Sequence, residues 1–169
     1  MKKIILFLPL ATMLLASCGN KSRHYLETYD KTKTYYNDFL REEGTYQYNK
    51  QHLLTSSVVT FYKITNSAEP EVDYVMSSSF TYNDQRDITS LLIKQNDIEI
   101  TNMVYTYAYD KNKVNITEYT AKGFVEAINY NYKEIYYYDN LKRLTKMLHY
   151  EMDESTSKYI QTQEIHYLY

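Results

Sequence analysis

Two stretches of the chain share one pattern: residues 80–89 read FTYNDQRDIT and residues 136–145 read YYYDNLKRLT. In both, an aromatic residue and a tyrosine precede a polar link that contains Asp, and an aliphatic residue followed by Thr comes after the link. A looser copy, YAYDKNKVNIT, occupies residues 107–117, so Tyr82, Tyr109 and Tyr138 lie 27 and 29 residues apart. A period in this range indicates a repeated supersecondary unit. We interpret the unit as a strand pair in which an Asp/Asn turn joins a tyrosine-rich strand to an aliphatic one.

This Tyr-Asp-turn-aliphatic-Thr pattern resembles the YD (Rhs-type) repeats, in the short form found in small lipoproteins of Bacteroidetes-type bacteria. The resemblance covers about residues 80–150 and implies successive antiparallel hairpins in a curved sheet. The chain departs from these repeats because the usual turn glycine is absent. Arg86 and Lys142 stand near its place, and Asn112 does so in the third copy. Asn tolerates a left-handed backbone, which Arg and Lys adopt less readily.

The composition favours a single sheet-rich domain. The 169 residues include 22 tyrosines but only three glycines and two prolines. Aromatic and β-branched side chains suit a pleated, half-buried surface. The scarcity of Gly and Pro argues against a disordered chain.

Short alternating segments separated by turn residues predict an antiparallel β-meander of about nine strands from residue 44 to residue 169. We expect an open curved sheet, with an up-and-down barrel as the alternative. A β-bulge or a break is expected near Asn102, where the alternation slips. Turns are expected at Asn83–Arg86, Gln95–Asp97, Asp110–Asn112 and Asp139–Asn140, and also at Lys122-Gly123. The last of these predicts a strand that runs over 124–138.

Residues 23–43 predict one amphipathic helix ahead of the sheet. Aromatic and aliphatic residues recur there at three- and four-residue spacing, from Tyr25 to Leu40. Gly44 then stands where a helix commonly ends.

The N-terminus reads as a secretory signal, with Lys2 and Lys3 before an apolar run that ends at Leu15. Ala16 and Ser17 precede the chain's single cysteine, Cys18, and this arrangement resembles the lipobox of bacterial lipoproteins. The resemblance implies cleavage between Ser17 and Cys18 and acylation of Cys18. We therefore divide the chain into a signal peptide (1–17), a lipidated tether (18–22), the helix (23–43) and the β domain (44–169).

Charge and motifs exclude several function classes. With 19 basic and 21 acidic residues, the chain has no basic surplus of the kind that nucleic-acid binding requires. It has no HExxH zinc motif, nucleophile elbow or glycine-rich phosphate loop. We expect no catalytic residues, no metal site and no cofactor. The serines at 56–57 and 77–79 are expected to face outward.

The candidate binding face lies on the strand that contains Tyr130, Tyr132, Tyr136 and Tyr138, with Glu126 and Glu134 on the same side. Tyrosine rings with interspersed carboxylates can stack on sugars and bond their hydroxyls, but the same residues can form a ladder that only stabilises the sheet. We therefore expect a non-enzymatic binding or assembly module. It would be anchored in the membrane through Cys18, in the outer membrane rather than the inner one, and its partner would be a glycan or an envelope protein. The alternatives are a hydrolase acting on carbohydrate or peptidoglycan and a purely structural subunit of a surface complex.

Overall fold

In the computed structural model, residues 30–36, 39–63 and 69–169 form one open antiparallel sheet. Its ten strands lie side by side in chain order, so every neighbouring pair is a hairpin. The predicted antiparallel meander is confirmed, and the barrel alternative is wrong because β1 and β10 form the two edges. The strands are β1 (Lys31–Tyr36), β2 (Phe39–Tyr48), β3 (Leu54–Tyr62), β4 (Val72–Tyr82), β5 (Ile88–Gln95), β6 (Ile98–Tyr109), β7 (Ile116–Val125), β8 (Ile128–Tyr138), β9 (Leu144–Asp153) and β10 (Lys158–His166).

The helix predicted over 23–43 is wrong wherever the structure describes that segment. Residues 31–36 and 39–43 belong to β1 and β2, which raises the strand number from nine to ten. Gly44 does not end a helix; it pairs with Val59 inside β2. Pairing with the sheet outweighs a helical spacing that the β-favouring Tyr and Thr residues support only weakly. Residues 23–29, the tether with Cys18 and the signal with Ser17 lie outside the described residues.

The turn predicted at Lys122-Gly123 is also wrong. Strand β7 continues through Gly123 to Val125, and the turn falls at Glu126-Ala127, where both residues have positive φ. Gly123 has φ +148°, and a Cβ there would lie 1.9 Å from the backbone oxygen of Asn102. This glycine therefore permits a close approach of β6 and β7. The predicted bulge near Asn102 is confirmed, because Ile100 is skipped in the pairing of β5 with β6.

The repeated pattern corresponds to one recurring turn, and the structure adds a fourth copy at residues 46–55, YQYNKQHLLT. In each copy the Asx side chain accepts a backbone N–H four residues ahead, as Asn83 does from Asp87 at 2.9 Å. The residue three positions after the Asx has positive φ: His52, Arg86, Lys113 and Lys142. Lys113, not Asn112, takes that place in the third copy. The hydrogen bond to the Asx side chain stabilises the turn. Basic residues are therefore tolerated at the positive-φ position, where glycine is usual.

The aliphatic-Thr end of the pattern forms a β-bulge. In each of the four copies the threonine is the unpaired residue between two successive cross-strand pairs: Thr55, Thr89, Thr117 and Thr145. Thr55 donates its hydroxyl to the Gln47 carbonyl at 3.1 Å, and Thr145 donates to Tyr137 at 3.0 Å. Turn and bulge together fix the register of each hairpin.

Four tyrosine hydroxyls make equivalent hydrogen bonds between consecutive hairpins. Each donates to the carbonyl of the first residue of the preceding odd-numbered strand: Tyr82 to Leu54, Tyr107 to Ile88, Tyr138 to Ile116 and Tyr169 to Leu144, at 2.7–2.9 Å. The four bonds therefore tie the start of each of these strands to a tyrosine of the next hairpin along the chain.

Candidate binding surfaces of the sheet

The sheet has two faces of different chemistry, which we call the Tyr face and the Lys face. Cross-strand partners share a face, so the register assigns each residue to one of them. The Tyr face carries Met76, Phe80, Leu91, Met103, Tyr105, Tyr107, Tyr119, Ala121, Tyr132, Glu134 and His149. The Lys face carries Lys94, Val104, Thr106, Thr120, Lys122, Lys133, Lys146, Leu148 and Tyr150.

The hydrophobic core is on the Tyr face. Phe80, Leu91 and Met103 are buried, and Ala121 is completely covered. Tyr105, Tyr119 and Tyr132 pack against this cluster. Their rings replace the second layer of structure that a single sheet would otherwise need to bury apolar side chains.

The serines expected to face outward are divided between the two faces. Ser57 and Ser78 are buried on the Tyr face, and their hydroxyls are 2.5 Å apart. The expectation is wrong for these two because each satisfies the other's hydrogen-bonding group, which makes burial tolerable.

All four predicted tyrosines lie on the Tyr face of β8, together with Glu134. Their environments differ: Tyr130 is 36 % exposed, whereas Tyr132 and Tyr136 are half-buried and Tyr138 makes the hairpin-linking bond to Ile116. Glu126 sits apart from them, in the β7–β8 turn with φ 47°.

Glu134 is the centre of a polar cluster on this face. Its carboxylate accepts a short hydrogen bond from the Tyr136 hydroxyl, and its Oε1 lies 3.2 Å from His149 Nδ1. Glu151 Oε1 approaches the other ring nitrogen of His149 at 3.8 Å. Burial, reinforced by Glu134, raises the pKa of Tyr136 far above its usual value. Tyr136 is therefore a fixed donor at neutral pH.

Sequence reasoning missed His149, because nothing local links it to Glu134. Only the register of β8 and β9 places the two directly opposite each other. The Tyr132 ring lies 5.1 Å from the His149 ring and 5.8 Å from that of Tyr119. Burial also raises the pKa values of Tyr119 and Tyr132.

The Lys face carries a groove of about 540 Å³ that sequence reasoning also missed. Three cross-strand pairs form its floor: Asn102 with Phe124, Val104 with Lys122, and Thr106 with Thr120. The Tyr159 ring of β10 forms a wall, and its hydroxyl donates to Asn131 Oδ1 on β8 at 3.0 Å. No sequence signal connects Tyr159 to β6 and β7.

The described residues contain neither a cluster of metal-ligating side chains nor a membrane-spanning helix. No group of three or more His, Cys, Asp and Glu side chains there could hold a metal ion. None of the described elements is a helix long and apolar enough to cross a membrane.

Comparison with known proteins gives no family. No protein-family model matches the chain, and no curated protein matches it. One solved structure that matches is a protein of unknown function from Bacteroides fragilis NCTC 9343. It is 16 % identical, with a TM-score of 0.24, and the match covers 81 % of this chain and 90 % of that one.

Proposed function

We propose that this protein is a non-enzymatic, lipid-anchored binding module of the cell envelope. Its N-terminus would be attached to the outer membrane through acylated Cys18, and its Tyr face would dock an envelope protein. The supporting observation is the surface around Tyr130, Tyr132, Glu134, Tyr136 and His149. Rigid, half-exposed tyrosine rings stand there beside a held carboxylate.

Such a surface has the chemistry of a protein-binding site. Tyrosine supplies a large amphipathic contact area at a low cost in side-chain entropy, and it is enriched in the cores of interfaces. The hydrogen bonds among Tyr136, Glu134 and His149 fix the polar groups of these three side chains in the unbound protein. This preorganisation lowers the entropic cost of binding.

Affinity capture tests the face. The full lipidated chain is used as bait with solubilised envelope proteins, and Tyr130→Ala is compared with Tyr137→Ala. Tyr137 lies on the opposite face of the same strand and is similarly exposed, at 42 %. We expect Tyr130→Ala to lose the partner at an unchanged melting temperature, while Tyr137→Ala keeps it. Equal retention by both variants would contradict the proposal, and capture of glycan instead of protein would point to a sugar ligand.

A separate experiment tests the anchor. The wild-type chain should incorporate a palmitate analogue in bacteria, and Cys18→Ala should not, because acyl chains supply the membrane affinity. Equal labelling of both would overturn the lipoprotein assignment, and recovery of the labelled protein in the inner membrane would overturn the outer-membrane location.

A further inference from the structure

The groove on the Lys face is independent of the Tyr-face cluster, and its lining has a different character. It combines an exposed aliphatic side chain, two aromatic rings, two hydroxyls and an amide: Val104, Phe124, Tyr159, Thr106, Thr120 and Asn102. Ligand sites commonly pair apolar walls with a few placed polar groups in this way.

Two lysines lie in or beside the groove. Lys122 lies in the floor of the groove. Lys133, on β8, is the cross-strand partner of Thr120 on β7. Among the residues that the structure describes, neither forms an ion pair. Lys133 instead sits over the Tyr150 and Tyr159 rings, 5.3 and 5.2 Å from their centroids.

The neighbouring charges do not cancel this positive charge. Glu99, which accepts a hydrogen bond from Asn102 at the groove end, also pairs with Lys94 at 3.9 Å. Lys146, farther along the face, is 3.9 Å from Glu164. Glu118 lies on the Lys face of β7, two residues before Thr120. The groove therefore keeps a net positive charge beside Lys122.

We propose that this groove binds an acidic carbohydrate, in which a sugar ring carries a carboxylate. The C–H face of a pyranose would stack on the Tyr159 or Phe124 ring, and its hydroxyls would bond to the threonines and Asn102. The carboxylate would be held by Lys122, with Lys133 adding a second charge. An ammonium next to hydroxyls and rings fits a carboxylated sugar better than a bare phosphate, since neither arginine nor a helix N-terminus lines the groove.

Calorimetry with the full lipidated chain in detergent micelles tests this proposal. The probes are trigalacturonate and sialyllactose, and their neutral counterparts are the methyl ester of trigalacturonate and lactose. We expect at least one acidic probe to bind and its neutral counterpart to bind about tenfold more weakly, as expected when a bond to a charged group is lost. Failure of both acidic probes, or equal binding of the acidic and neutral forms, would overturn the proposal.

Matched variants locate the site. Lys122→Gln and Tyr159→Ala should each weaken binding about tenfold, while Glu118→Gln should strengthen it by removing a repulsive charge. Lys146→Gln is the control, because it removes a cation from the same face outside the groove. Thermal melting of each variant separates lost binding from lost folding. If Lys146→Gln weakens binding as much as Lys122→Gln, the probes bind the face by general charge attraction, and the groove assignment is wrong.

Discussion

The Tyr face and the Lys face are built from alternate residues of the same ten strands, yet only one of them carries the core. Of the six buried apolar residues in the described part of the chain, five lie on the Tyr face, where tyrosine rings pack against Phe80, Leu91 and Met103. Among the described residues of the Lys face, Leu148 is the only buried apolar one, and lysines, threonines and serines occupy many of the other positions. Large rings can therefore bury apolar side chains on one side of a single sheet without a second layer.

The tyrosines of the two faces also differ in the groups that they contact. On the Tyr face, the Tyr107 hydroxyl donates to a backbone carbonyl and the Tyr136 hydroxyl to a carboxylate, and burial raises the pKa of Tyr136. On the Lys face, Tyr137, Tyr150 and Tyr159 lie beneath lysine ammonium groups. The first group stabilises hairpins, whereas the second leaves its rings accessible from one side.

Removing a core side chain should have the largest effect. Phe80→Ala is expected to lower the free energy of unfolding by about 3–5 kcal/mol, because it removes a buried ring and leaves a cavity. Thr81→Ala, the next residue but on the Lys face, should lower it by no more than about 1 kcal/mol, because it removes only the exposed bonds of one hydroxyl to Thr89 and Ser90. Chemical denaturation measures both, and similar losses would remove the distinction between the faces.

Alkaline pH should unfold the protein through the Tyr face. Burial and Asp87 raise the pKa of Tyr109 to about 12, and burial also raises the pKa values of Tyr105, Tyr119 and Tyr136. A raised folded-state pKa stabilises the fold fully below pH 10, and this contribution is lost as pH rises from there through about 12.

Denaturation between pH 8 and pH 12 checks this pH dependence. Tyr119→Phe should make the decline in stability shallower, because one ionisable group is gone. A stability that stays constant up to pH 12 would contradict the role assigned to the buried hydroxyls.

Single hydroxyls should matter less. Tyr138→Phe removes the donor to the Ile116 carbonyl and should cost about 1 kcal/mol, and Tyr82→Phe should cost about the same because its bond to Leu54 is equivalent. Tyr137→Phe, on the other face, should cost less than about 0.5 kcal/mol. Urea unfolding of the three variants makes the comparison, and a loss for Tyr137→Phe equal to that for Tyr138→Phe would argue against the hairpin-linking role.

A small effect is expected from removing a cation on the Lys face. Lys146 lies over the Tyr137 ring, 4.5 Å from its centroid, and is exposed enough for water to screen its charge. Lys146→Met should lower stability by at most about 0.5–1 kcal/mol. A larger loss by urea unfolding would mean that the Lys face contributes to the core.

Most of the hairpins can be predicted from local sequence patterns. Residues 80–89 and 136–145 predict a tyrosine strand, an Asx turn and an aliphatic strand, and the strand ends that flank these two turns agree: β4 ends at Tyr82, β5 begins at Ile88, β8 ends at Tyr138 and β9 begins at Leu144. These signals are local because an Asx side chain caps its own turn and a period of two follows from the pleat. The open meander follows from short links between successive strands.

Tertiary structure decided what the local pattern left ambiguous. Residues 31–36 and 39–43 have a helical spacing but form β1 and part of β2, which extend the sheet beyond β3, because backbone pairing at an open edge outweighs weak helix propensity. In the sequence, Gly123 is typical of a turn. The structure places it inside β7, where the absence of a side chain allows β6 to approach closely. Only register brings His149 to Glu134, and only the tertiary arrangement brings Tyr159 to the β6–β7 groove, since these contacts join residues that are distant in the chain.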